Sequence, residues 1–224
     1  MKYIDIHTHK HSKNKDLDIM SVKNVIFGKE NIIDIPFSIG LHPWFLNYNF
    51  EDFERMVNNL KNNPHFMAIG ECGLDFQPHY LHTFPLSFQE KIFMKQIFLA
   101  YKLQKPVIVH CVKCFDKLLM IKNKLKINIP LIIHGYTKHE KLAQQLLKSG
   151  FFLSFGSSIF SNKSNRLALL QTPLHQLFLE TDDQDTYSIK MIYKETAKIK
   201  NVSLTDLTDA ILQNFIRIFK VKIF

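Results

Sequence analysis

The strongest constraint on this chain is a repeated unit: a short apolar run that stops at a glycine, a histidine or an acid and then gives way to a helical pattern. Residues 3–6 run into His7-Thr8-His9, and residues 21–27 end at Gly28. Residues 35–41 lead through Gly40 to His42-Pro43-Trp44, and residues 66–69 deliver Gly70-Glu71-Cys72-Gly73-Leu74-Asp75. Residues 106–109 stop at His110, 130–133 at His134-Gly135, 151–155 at Gly156, and 176–179 at Glu180-Thr181-Asp182. Runs of this length, bounded by turn residues and rich in Val, Ile and Phe, read as buried strands.

Between them, residues 49–63 place Phe50, Phe53, Val57 and Leu60 at helical spacing before Asn63-Pro64. Residues 87–104 put Phe88, Ile92, Lys95 and Leu99 along one face, and 114–124, 138–148 and 187–198 also read as helices. Gly150 closes the 138–148 helix, residues 165–170 are at most a short helix, and Ser203 is the N-cap candidate for 205–219. Eight strands mostly alternating with helices predict an α/β fold, a (β/α)8 TIM barrel. The polar residues 10–18 leave no room for a helix after the first strand, and little follows the second. Helices are therefore expected to be missing or truncated there. No linker or repeat divides residues 1–224, so a single domain is expected.

Composition excludes some classes. No apolar run approaches the roughly 18–20 residues that span a bilayer. The first residues carry Asp and His rather than a basic-then-apolar leader, so a cytoplasmic protein with no membrane partner is expected, and a monomer. Three cysteines (Cys72, Cys111, Cys114) make no disulfide framework, and the Cys111-Val112-Lys113-Cys114 spacing lacks the second motif of a zinc ribbon. Twenty Phe against seven Gly predict a Phe-packed interior. The net charge of +9 favours an anionic partner such as nucleic acid.

In a barrel of this kind the active site lies at the C-terminal ends of the strands. The metal-ligand candidates His7, His9, Glu71, His110, His134 and Asp182 all fall there, with His42 beside them. Two divalent ions about 3.5–4 Å apart polarise a phosphoryl oxygen and activate a water. His7 and His9 would bind one ion, His110 and His134 the other, with Glu71 bridging. Glu71 and Asp182 are the catalytic candidates, Asp182 as general base. Asp5 is expected to orient an imidazole from behind.

Together these motifs resemble the TatD family of metal-dependent deoxyribonucleases, within the amidohydrolase-like barrels. The matching stretches are Asp5-Ile-His7-Thr-His9, Gly40-Leu-His42-Pro43, Gly70-Glu71-Cys-Gly-Leu-Asp75, Pro106-Val-Ile-Val-His110, His134-Gly-Tyr-Thr137 and Glu180-Thr-Asp182, with Asn214-Phe215-Ile-Arg-Ile-Phe219 near the end. The resemblance implies the same six metal residues, two divalent ions (Mg2+ or Mn2+ for activity, with Zn2+ or Fe2+ as alternatives), a cytoplasmic location and hydrolysis of DNA ester bonds. It also has gaps: Cys111-Val112-Lys113 stands where the family has an Arg, Gly135-Tyr136 where it has Cys-Phe, and Asp183-Gln184 where it has a small residue and Pro. None removes a ligand; all touch substrate contacts.

His42, Lys113 and Tyr136 are the substrate-binding candidates, Lys113 as replacement for the absent Arg. Asp75 is expected to order its loop and Trp44 to pack. His11, His65, His79, His82, His139 and His175 fit no strand end and are expected at the surface. Two other readings accompany the nuclease: a metal-dependent hydrolase of a small ester, amide or phosphate, and a non-catalytic nucleic-acid-binding barrel.

Overall fold

The computed structural model describes residues 2–10 and 16–221. His11 and residues 12–15 of the expected loop lie outside them. Eight strands follow one another in chain order in one sheet: β1 (Tyr3–Thr8), β2 (Ile19–Ile26), β3 (Phe37–Gly40), β4 (Phe66–Asp75), β5 (Val107–Val112), β6 (Leu131–Ile133), β7 (Phe151–Phe155) and β8 (Leu177–Leu179). The paired registers are parallel, and a parallel bridge between Thr8 and Asp182 brings the first strand beside the residues that follow the last. The fold is the expected (β/α)8 barrel. No helix separates β1 from β2 or β2 from β3 among the described residues, as the short connections required.

The helices are α1 (Phe50–Asn59), α2 (Pro78–Thr83), α3 (Leu86–Leu103), α4 (Phe115–Leu125), α5 (Glu140–Lys148), α6 (Lys163–Gln171), α7 (Ile189–Lys200) and α8 (Leu204–Phe219). Asn49 caps α1, Ser188 caps α7 and Ser203 caps α8, each side chain accepting from a first-turn backbone N–H. His139, expected merely at the surface, accepts from Leu142 N and caps α5. Two elements differ from the sequence reading. β4 does not stop at Ile69 but runs on to Asp75. Gly73 allows this: a Cβ there would sit 2.0 Å from the His110 carbonyl oxygen, at φ +152°. α2 escapes hydropathy because it is six residues long with no buried side chain.

The chain forms two compact units, Met1–Lys23 with Ile132–Phe224, and Asn24–Leu131. In the first, Ile4, Ile6, Leu153, Phe155, Phe178, Ile192, Ile211 and Phe215 are fully buried. The Tyr193 hydroxyl, on α7, accepts from Ile4 N and donates to Ile4 O, both at 3.0 Å, and so locks β1. In the second, Phe37, Ile39, Phe53, Phe66, Phe93, Val107, Val109 and Leu118 are fully buried. Each such side chain contributes about 1.5–3 kcal/mol of transfer free energy. The Phe-rich interior expected from composition is present in both.

The long helix α3 buries only part of the face read off its apolar residues, together with two glutamines. Gln89, Ile92, Phe93, Gln96, Ile97, Leu99 and Ala100 are inside, so Ile92 and Leu99 of the expected face are buried, while Phe88 is 39% exposed. The glutamines are buried because each clamps one residue's backbone. Gln96 Oε1 accepts from Leu41 N at 2.8 Å and its Nε2 donates to Leu41 O at 3.1 Å. Gln89 does the same for Asp75, at 2.7 and 3.1 Å. Two turns apart on one helix face, they fix the ends of β3 and β4.

Candidate metal centre

In the first unit, backbone pairing assembles a cluster of imidazoles and carboxylates. Asp182 N donates to His7 O at 3.0 Å, and His9 N donates to Asp182 O at 3.1 Å. His7 on β1 and His9, one residue past its end, are two residues apart in extended chain and so share a face. Their Nε2 atoms both stand 3.5 Å from Asp182 Oδ1. His7 is fully buried, whereas the side chains of His9 and Asp182 are 31% and 33% exposed, so solvent reaches Asp182 from one side. Asp182 has φ +54°, a left-handed turn that aims its carboxylate back at β1.

Asp5 holds that turn. Its Oδ1 accepts from Thr181 N at 3.0 Å and its Oδ2 from the Thr181 hydroxyl at 2.7 Å. The expectation that Asp5 orients an imidazole is thus replaced: it positions Asp182 through the preceding residue. Burial pushes its carboxyl up to about 7, with nearby Glu180 adding to the rise, against the lowering by the Thr181 hydrogen bonds and His7.

His134, after β6, joins this cluster. Its ring lies 4.3 Å from that of His7, and its Nδ1 is 3.5 Å from Glu180 Oε1. Glu180 Oε1 also accepts from Gly135 N at 2.6 Å, while Oε2 is buried with no hydrogen bond among the described residues. Glu180 was quoted in the sequence motif without a role. Its signal is an acid two residues from a ligand candidate, directly after a wholly apolar run.

In the second unit, β3, β4 and β5 deliver His42, Glu71 and His110. Glu71 Oε1 lies 2.7 Å from His110 Nδ1 and 3.1 Å from His42 Nε2. Glu71 itself is held from behind: its N donates to Asn24 Oδ1 at 2.8 Å, and Asn24 Nδ2 donates to its Oε2 at 3.3 Å. Asn24 is buried on β2 and is not among the site residues expected from the sequence. The Trp44 backbone N–H donates to His42 Nδ1 at 3.2 Å, so Nε2 is the protonated nitrogen of His42. His42 therefore presents an N–H, to Glu71 or to a substrate oxygen.

Asp75 does more than order its loop. Its Oδ2 accepts from the Trp44 indole N–H at 2.7 Å and stands 3.1 Å from His110 Nε2, while Oδ1 accepts from Gln77 N at 2.9 Å. Burial raises its carboxyl, but the hydrogen bonds from His110, Trp44 and Gln77 outweigh that and leave it below the usual range. Trp44 packs as expected, stacked on Tyr80 at 4.4 Å.

The donor sets fit divalent ions. His7, His9 and Asp182 each offer an atom within 4.8 Å of the others, as do His134, Glu180 and Asp182, and Glu71 and His110 do so beside His42, whose Nε2–H makes it a donor rather than a ligand. Imidazole nitrogens with carboxylate oxygens suit Zn2+, Mn2+ or Fe2+. The buried Glu180 oxygen without a hydrogen bond is a site where a cation offsets an otherwise costly desolvation.

The remaining candidates sit as follows. Lys113 is exposed, at φ +57° just after β5. Tyr136 is buried, its hydroxyl donating to His139 O at 2.8 Å and its ring edge on Phe155 at 5.6 Å. The loop after β8 is held by Lys10, which pairs with Asp185 and donates to Gln184 O. That gives Asp183-Gln184 a local anchor where a proline is absent. His79, His82, His139 and His175 are at the surface, and His65 is half-buried with Asp34 at 3.1 Å. The three cysteines are free thiols.

The family model described as TatD related DNase matches residues 14–220. An uncharacterised metal-dependent hydrolase of Methanocaldococcus jannaschii is 26% identical, over 98% of this chain and 98% of its own. The human 3'-5' RNA nuclease TATDN2 is 33% identical over 65% of this chain and 19% of its own length. The crystal structure of the TatD homolog YJJV from Escherichia coli K12 superposes with a TM-score of 0.82 over 98% of both chains at 21% identity, which shows the fold. With the family model covering all but the ends, this chain belongs to the TatD-related DNase family of metal-dependent hydrolases.

Proposed function

We propose that this protein is a divalent-metal-dependent nuclease that hydrolyses phosphodiester bonds of DNA, with one ion held in each unit. The observation that carries the reading is the donor geometry: each unit sets imidazole and carboxylate atoms within 4.8 Å of one another at the C-terminal ends of its strands. In this reading His7, His9, His134 and Asp182 hold one ion, and Glu71 and His110 the other, with Mg2+ or Mn2+ supporting activity. When bound, such ions supply Lewis-acid charge at the phosphoryl group and the attacking water.

The protein's own groups divide the remaining work. Asp182, the solvent-facing carboxylate of its cluster, takes the proton of the attacking water. Glu71, held by Asn24, keeps one oxygen between two imidazoles. His42 donates its Nε2–H to a phosphate oxygen. Exposed Lys113 offers positive charge to the nucleic-acid backbone, in keeping with the net charge of +9. Relatives described as a 3'-5' RNA nuclease and as deoxyribonucleases support a nucleic-acid substrate. No helix among the described residues is long and apolar enough to cross a membrane. A cytoplasmic monomer completes the proposal.

Incubation of the pure protein with single- and double-stranded DNA, and with RNA, plus Mg2+ or Mn2+ tests it. Metal-dependent DNA cleavage lost in His110→Ala is the expected result; no cleavage, or cleavage that survives that change, overturns the proposal. One observation favours a second reading, hydrolysis of a small ester or phosphate: Cys111-Val112-Lys113 replaces the Arg of the family pattern. Turnover of small model esters without DNA cleavage would select it.

A further inference from the structure

His110 has a carboxylate at each ring nitrogen: Glu71 Oε1 2.7 Å from Nδ1 and Asp75 Oδ2 3.1 Å from Nε2. Both carboxylates take donors, Glu71 from Asn24 Nδ2 on Oε2 and from His42 Nε2 on Oε1, but Glu71 shares a metal-donor group with His110 whereas Asp75 belongs to none among the described residues. Asp75 is fully buried, and its side chain gathers donors only: the Trp44 indole, which cannot accept, on Oδ2, and the Gln77 backbone on Oδ1. Its backbone is clamped at both N and O by Gln89. An oxygen so placed is an acceptor, so the Nε2 of His110 is a donor to it. When an ion occupies the group that Glu71 and His110 share, Nδ1 is then the nitrogen that presents its lone pair to it.

We infer that Asp75 is a positioning residue that fixes His110 as the Nε2–H tautomer, turning Nδ1 toward the ion that Glu71 and His110 hold. The inference rests on the proposal that this cluster takes up an ion. A hydrogen bond from the far nitrogen of a ligating histidine to a carboxylate fixes ring orientation and raises ligand basicity. Register puts the strands in step for this: Gly73 pairs with His110 and Asp75 with Val112 across β4 and β5. Trp44 is the single Trp of the chain and donates to the same Asp75 oxygen, so its emission reports on the cluster without any substrate.

The test is Mn2+ titration of metal-free wild type, Asp75→Asn and Trp44→Phe by calorimetry, with Trp44 emission followed in the first two. Asparagine keeps the shape and loses one acceptor; Trp44→Phe removes a neighbouring donor but leaves the His110 contact. The expected result is about tenfold or more weaker binding of one ion in Asp75→Asn, with Trp44→Phe close to wild type. Zn2+-loaded wild type, labelled with 15N-histidine, gives a readout that needs no variant: His110 carries its proton on Nε2. Wild-type binding that Asp75→Asn leaves unchanged, or a His110 proton on Nδ1, overturns the positioning role alone. Absence of any ion that depends on His110 in the wild type overturns the nuclease proposal as well.

Discussion

Replacing Asp5 by asparagine should make the metal-free protein more stable, and increasingly so as pH rises. Asp5 is buried, with a folded-state value near 7 against 3.8 for the free carboxyl, and burial is the main cause. The sign follows from proton linkage. Between these two values the folded chain retains a proton that the unfolded chain has released, so stability falls as pH rises through that window. At about 1.36 kcal/mol per unit, a shift of this size sets a ceiling of roughly 4 kcal/mol over the whole window, and of about 2–3 kcal/mol between pH 5 and 7. In Asp5→Asn the new amide offers its oxygen to Thr181 N and turns its NH2 toward the Thr181 hydroxyl, which can accept. The variant therefore keeps the clamp on the turn before Asp182 while shedding the charge. Urea denaturation of both proteins in EDTA at pH 5, 6, 7 and 8 reads the difference directly. The Asp5→Asn protein should gain on wild type from pH 5 to 7 and then hold level. A gap that does not change with pH, or a variant less stable at pH 8, would refute this reasoning.

Other substitutions probe the supports of the two clusters. Gly73→Ala puts a Cβ 2.0 Å from a backbone oxygen at a strained φ and should cost about 3 kcal/mol or more in a urea titration. Gln96→Leu strips partners from both backbone groups of buried Leu41, next to His42, and should cost about 2–3 kcal/mol by the same method. Lys113→Ala should raise KM for DNA and flatten its salt dependence with kcat little changed; a loss confined to kcat would remove Lys113 from the phosphate-contact role.

How much of this was legible in the sequence depends on where each residue's partners lie along the chain. Strand ends were legible because β-branched runs stop abruptly at His, Glu or Asp, and the first, third, fifth and seventh strands lie within a few residues of their expected bounds. β4 was read too short, because its second half contains two glycines and two acids. Those glycines admit a close approach to β5 that no local propensity reports. The core face of α3 is legible at Ile92 and Leu99 but not at Gln89 and Gln96, which count as polar although their partners are backbone groups some 14 and 55 residues away. The roles of Asp5, Asn24 and Asp75 were hidden for the same reason. Asp5 meets Thr181 across 176 residues and Asn24 meets Glu71 across 47. A ligand announces itself by residue type and position; the group that holds it in place is visible only after folding.

The most direct test of the two donor clusters is the divalent-ion content of wild type, His9→Ala and His110→Ala, each saturated with Mn2+ and measured by calorimetry alongside elemental analysis. Wild type should hold two ions and each variant one, because His9 and His110 belong to different clusters. A wild type that binds no ion, or a His110→Ala protein that still binds two, would contradict that division.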